Sequence, residues 1–135
     1  MGPPMGAAAA PRTPLLWAAA LLAIVTGALH LYFAFTLFSA EYGLQLAFVG
    51  MGVIYFVGAA LGLTGWKHDL VIKGAMAWVV LLIITWALGA AYGRTPNVEP
   101  IAFVDKAIEA VLLVVLFLLM RESKEAAQPS AAARG

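Results

Sequence analysis

Apolar residues fall into four long runs, at about residues 15–37, 44–63, 70–92 and 101–120, with short polar breaks between them. A hydrocarbon layer of about 30 Å takes about 20 helical residues at a rise of 1.5 Å each, so every run is long enough to cross a bilayer. The pattern predicts an all-α integral membrane protein: a four-helix bundle of up-down-up-down order over residues 15–122. Residues 1–14 show no apolar period and read as a disordered tail, as do residues 123–135. The first run is longer than the about 7–15 residues of a signal-peptide core. Its only candidate cleavage site has bulky Phe38 at the minus-three position, so the run is expected to stay in the mature protein.

The fourth run, IAFVDKAIEAVLLVVLFLLM, breaks the pattern with Asp105, Lys106 and Glu109 in its first half. At helical spacing these three share an arc of about 100°, and ionisable groups inside a span face protein or water rather than lipid. Small residues mark two further faces. Ala19, Ala23, Gly27, His30 and Ala34 line one side of the first run. Gly50, Gly58 and Gly62 recur on one side of the second, the last two as a GxxxG pair, the spacing at which helix backbones approach closely in lipid.

Depth joins the two polar positions. His30 lies about 11 Å inside the end of the first run and Glu109 about 12 Å inside the start of the fourth, so they share a level. Thr26 and Thr85 lie near that level, Gly50 and Gly52 leave space beside it, and Arg94 is placed to close it from the loop GRTPNVEP. The candidate site is therefore His30, Asp105, Lys106 and Glu109. Two uses fit it: a set of internal ion pairs holding the helices in register, or a proton, ion or ligand position. Trp86 and Tyr32 read as interfacial aromatics.

Composition narrows the class. Hydrophobic residues make up 64% and charged residues 11%, against about 25% charged in a soluble domain. A net charge of +1 gives no field for nucleic acid, and the lack of cysteine removes thiol chemistry and disulfides. Arg12, Lys67, Lys73, Arg121, Lys124 and Arg134 fall on one side of the bundle, which places both termini in the cytoplasm of a cell-membrane protein and leaves the breaks SAEYG and GRTPNVEP outside. LLAIVTGAL resembles LLIITWAL, and AFVGMGVI resembles AFVDKAIE, so a duplicated helical hairpin is one alternative for the fold.

No cofactor is expected. Haem held by two histidines needs both at one depth, and His68 lies about 18 Å from His30 along the helix axis. Zinc has no pair of closely spaced histidines to announce it.

The stretches TGALHLYFA and VDKAIEAVLLVVLFLLMRES resemble a family of small four-span archaeal membrane proteins of unknown function, best represented in haloarchaea. The resemblance covers most of residues 15–122 and implies that His30, Asp105 and Lys106 occupy the family's polar positions, with Glu109 standing where the family leads one to expect Gln. It implies no activity. The leading expectation is a non-catalytic scaffold or accessory subunit, bound to the lipid bilayer and assembled as a homo-oligomer or within a larger membrane complex. The alternative is a small carrier or proton-linked binding protein using the His30, Asp105, Lys106 and Glu109 cluster.

Overall fold

The computed structural model describes residues 13–126, and every regular element among them is helical. Local chemistry explains most boundaries. Helix α1 (Pro14–Phe35) opens where Thr13 Oγ1 accepts the Leu16 N–H at 3.3 Å and Pro14 has no N–H to leave unpaired. Helix α2 (Tyr42–Thr64) is closed by Gly65 at φ 74°, a left-handed conformation that a Cβ would disfavour. Helix α3 (His68–Ala91) follows at once and ends before Gly93, again left-handed at φ 72°. Within GRTPNVEP, Pro96 starts a single turn, α4 (Thr95–Val98). Glu99 is extended at ψ 141°, as the residue before a proline tends to be, and Pro100 starts α5 (Pro100–Ala126).

Two expected boundaries move. The C-terminal tail was expected from residue 123, but α5 continues through Ala126, where Ser123 Oγ donates to Asp69 Oδ1 at 3.0 Å and ties the helix to the start of α3. His68 and Asp69, expected in a loop, form the first turn of α3, where a carboxylate suits the helix dipole. Residues 1–12 and 127–135 of the expected tails lie outside the described residues; Thr13 and Pro14 belong to the start of α1.

The four long helices pack around one core, α1 between α2 and α5, and α3 between α5 and α2, with α2 and α3 the loosest pair. Two pairs of long helices run in opposite directions: Leu16 at the start of α1 meets Gly62 near the end of α2, and Asp69 at the start of α3 meets Ser123 near the end of α5. Leu16, Tyr55, Val79, Leu112 and Leu116 are among the core side chains, while Leu21, Val57, Leu81, Leu88 and Val114 stand exposed. Apolar residues thus cover the outside as well as the inside. By length and composition three helices among the described residues, α1, α2 and α3, can cross a membrane. The fourth long helix, α5, is set apart by the three ionisable residues in its first half, Asp105, Lys106 and Glu109, of which Asp105 and Glu109 are fully buried.

Within the chain, the close approach expected at Gly50, Gly58 and Gly62 falls instead at Gly27 and Gly52. A Cβ on Gly52 would stand 2.8 Å from the Gly27 carbonyl oxygen, whereas one on Gly50 or Gly58 would meet nothing within 4 Å among the described residues and one on Gly62 only Leu16 at 3.8 Å. The reason is rotational: α2 turns the face of Gly52, Tyr55, Ala59 and Gly62 inward, leaving Gly50 and Gly58 at its margin.

Candidate functional site

Where Gly27 and Gly52 let α1 and α2 meet, the next turns of α1 and the first turns of α5 carry their polar side chains into the same interior space. Thr26, His30, Asp105 and Glu109 are all buried, and none exceeds 2% exposure. Thr26 Oγ1 donates to Asp105 Oδ1 at 2.5 Å. Its hydroxyl stands farther from Glu109 Oε1, at 3.4 Å. Lys106 Nζ donates to both Glu109 oxygens, at 3.0 and 3.1 Å, and stands 3.4 Å from Asp105 Oδ2. The sequence-predicted cluster is thus one constellation in space.

The state of His30 follows from its partners. Its Nδ1 is 2.7 Å from the Thr26 carbonyl oxygen, which only accepts, so Nδ1 bears the hydrogen. Phe48 stacks on the ring at 5.7 Å between centroids and Tyr55 tilts against it at 5.4 Å. Held this way, Nε2 faces the carboxylates: Glu109 Oε1 at 3.6 Å and Asp105 Oδ2 at 3.9 Å. Charge-assisted hydrogen bonds close to about 2.7–2.9 Å, so imidazole and carboxylates confront one another across a gap rather than bond. Asp105 Oδ2 has no hydrogen-bond partner among the described residues, nor does the buried Tyr55 hydroxyl beside it. Native interiors leave few polar atoms in that condition.

Part of the cluster borders a cavity of about 160 Å³ at the end of the molecule that holds the α1–α2 and α3–α5 connections. His30, Asp105 and Lys106 line it together with Thr85 and Arg94. Neither Gly50 nor Gly52, both expected to leave space beside the site, lines this cavity; Gly52 is taken up by the contact with the Gly27 carbonyl oxygen and Leu31. The roof is a clasp the sequence did not announce: Trp86 Nε1 donates to the Asn97 carbonyl oxygen at 2.7 Å and Asn97 Nδ2 donates to the Trp86 carbonyl oxygen at 3.0 Å. Gly89 permits it, since a Cβ there would run into the Asn97 amide, and Phe103 packs edge-on against Trp86 at 5.1 Å. Trp86 therefore anchors α4 beside the cavity.

Tyr55 was also missed. A signal was available, since it falls three residues after Gly52 on the inward face of an otherwise apolar run, and a phenol at that depth needs a polar neighbour. His68, the other histidine, sits at the opposite end of α3 and does not join the cluster. The chain matches no protein-family model, no curated protein and no solved structure.

Proposed function

We propose that this chain is a small multi-pass membrane protein, a four-helix bundle of up-down-up-down order, that binds a cation at His30, Asp105 and Glu109, beside Lys106, as a carrier or binding subunit rather than as a catalyst. The observation behind this reading is Asp105 Oδ2, fully buried, without a hydrogen-bond partner among the described residues and facing His30 Nε2 at 3.9 Å. With both carboxylates ionised and the imidazole neutral, Lys106 balances only one of two negative charges. A buried residual charge of that kind is costly, and one further positive charge relieves it. From α1 the cluster is faced by His30 and Thr26, from α2 by Tyr55, and from α5 by Asp105, Lys106 and Glu109. Arg94 lines the same cavity.

The test is thermal unfolding of the purified protein in mild detergent across a panel of monovalent and divalent cations and of proton concentrations. At least one cation is expected to stabilise the wild type, and Asp105→Asn, which keeps the shape and removes the charge, is expected to lose that response. A wild type indifferent to every cation would overturn the reading.

Orientation is part of the proposal. The distribution of basic residues favours cytoplasmic termini, with the cavity mouth on the outer side. The chain has no cysteine, so the background is clean. A cysteine replacing Ser39 or Thr95 is expected to react with an impermeant thiol reagent applied to whole cells, and one replacing Lys124 is not; the reverse pattern would invert the protein.

The scaffold reading keeps one specific support. Gly58, Gly62 and Gly74 line an apolar cavity of about 240 Å³ where α2 and α3 pack loosely. A second copy of this chain or a helix of a larger membrane complex has room to dock there.

A further inference from the structure

We propose that the cation is a divalent transition-metal ion, held by His30 Nε2, Asp105 Oδ2 and Glu109 Oε1; this rests on the cation-binding reading above and names its ligand. One nitrogen and two carboxylate oxygens from three different turns of two helices converge, all within 4.8 Å of one another. A tetrahedral ion with bonds of about 2.0–2.2 Å separates its ligands by about 3.3–3.6 Å. Of the separations from Nε2, that to Glu109 Oε1, 3.6 Å, is at the top of this range and that to Asp105 Oδ2, 3.9 Å, is just beyond it, so a small inward shift of Asp105 completes the geometry around the imidazole.

The convergence is more than a group of acids. Asp105 Oδ2 is buried with no hydrogen-bond partner among the described residues, its ionic neighbour being Lys106 Nζ at 3.4 Å, and it faces Nε2, the imidazole nitrogen that the Thr26 carbonyl leaves unengaged. The other ring nitrogen donates to the Thr26 carbonyl, and Thr26 Oγ1 donates to Asp105 Oδ1. Metal-binding histidines and carboxylates are oriented in just this way by groups behind them, which fix the tautomer and leave the ligand atom bare. A nitrogen donor with carboxylates suits zinc, iron or manganese better than the all-oxygen shells that magnesium and calcium take.

Lys106 gives the site its release mechanism. Its ammonium bridges both carboxylates from the cavity side, with its side chain 13% exposed. A divalent ion arriving through the cavity brings the charge that neutralises Asp105 and Glu109. The ammonium then swings out toward the cavity while the ion exchanges bound water for the three protein ligands. Lys106 is thus a tethered competitor, and the same carboxylates alternate between it and the metal.

Zinc binding by the purified protein, free of any histidine tag, tests this by calorimetry and by X-ray absorption at the zinc edge. The expected result is one Zn²⁺ per chain with a single imidazole in its shell. His30→Gln and Asp105→Asn are each expected to weaken binding by at least the about 10–100-fold that loss of even an outer-shell partner costs. Lys106→Gln is expected to tighten it, a sign that a merely structural role for Lys106 would not produce. His68→Gln is expected to leave it unchanged, which separates this site from chance binding at the start of α3. Wild-type protein with no saturable zinc, a shell without imidazole, or undiminished binding by the His30→Gln, Asp105→Asn double variant would overturn the inference. If zinc fails while a monovalent cation or the proton still stabilises the wild type but not Asp105→Asn, the metal is wrong and the cation site stands. If no cation acts, both fall.

Discussion

Replacing Lys106 with Met is expected to destabilise the protein by about 3–5 kcal/mol, the cost typical of breaking a buried ion pair from one side. Asp105 and Glu109, both fully buried, then confront each other with their shared ammonium gone. Glu109→Met alone removes one of the two charges that Lys106 balances, so its cost is expected to be smaller: Asp105 Oδ2, 3.4 Å from Nζ, still pairs with the ammonium. Combining Lys106→Met with Glu109→Met leaves one carboxylate with its Thr26 hydrogen bond, and should recover a large part of what Lys106→Met loses. Unfolding in mixed detergent micelles, followed by circular dichroism, measures all three variants. Strict additivity would mean that the side chains do not meet in the membrane. A further consequence connects to the metal: zinc should stabilise Lys106→Met more than it stabilises the wild type, because no tethered cation has to be displaced.

Gly52→Ala and Gly58→Ala are expected to change stability in opposite directions. Alanine is the better helix former by about 1 kcal/mol, which favours both changes if nothing else matters. At Gly58 nothing else does, because the added Cβ meets open space among the described residues, so the variant should be as stable as the wild type or slightly more so. At Gly52 the Cβ would stand 2.8 Å from the Gly27 backbone oxygen and 3.0 Å from Leu31 Cγ. A backbone oxygen cannot swing aside, so α1 and α2 must separate, and overpacking of that kind costs about 1–3 kcal/mol. The steric term therefore exceeds the propensity gain, and Gly52→Leu should be worse still. Separation of α1 from α2 also displaces Tyr55 and Phe48 from the His30 ring, so Gly52→Ala is expected to weaken cation binding without touching a ligand. Oligomer size gives Gly58→Leu a second reading: loss of a dimer or larger complex, with the monomer as stable as before, would support the scaffold role of that face. Equal losses at Gly52 and Gly58 would mean that α2 is rotated from the position described.

Spacing alone placed Asp105, Lys106 and Glu109 on one inward arc, because a helix of 3.6 residues per turn fixes which of its own side chains share a face. Rise per residue likewise put His30 and Glu109 at one depth, and their ligand atoms lie 3.6 Å apart. Gly65, Gly93, Pro96 and Pro100 marked ends and starts by backbone chemistry that needs no neighbour. Three long apolar helices were legible for the same local reason. What the sequence could not determine is how one helix is rotated against the next, since every face of α2 is apolar and several of its faces offer small residues. Packing of all four helices together chose Gly52 over Gly58 for the contact with α1 and turned Tyr55 toward His30. It also folded Asn97 back onto Trp86, across a connection whose two ends are close only once α3 and α5 are side by side. The gap between Nε2 and the two carboxylates is the clearest case. Its width is an interhelical distance, set where Gly27 and Gly52 touch and where Thr26 holds Asp105, and no count along a single helix contains it.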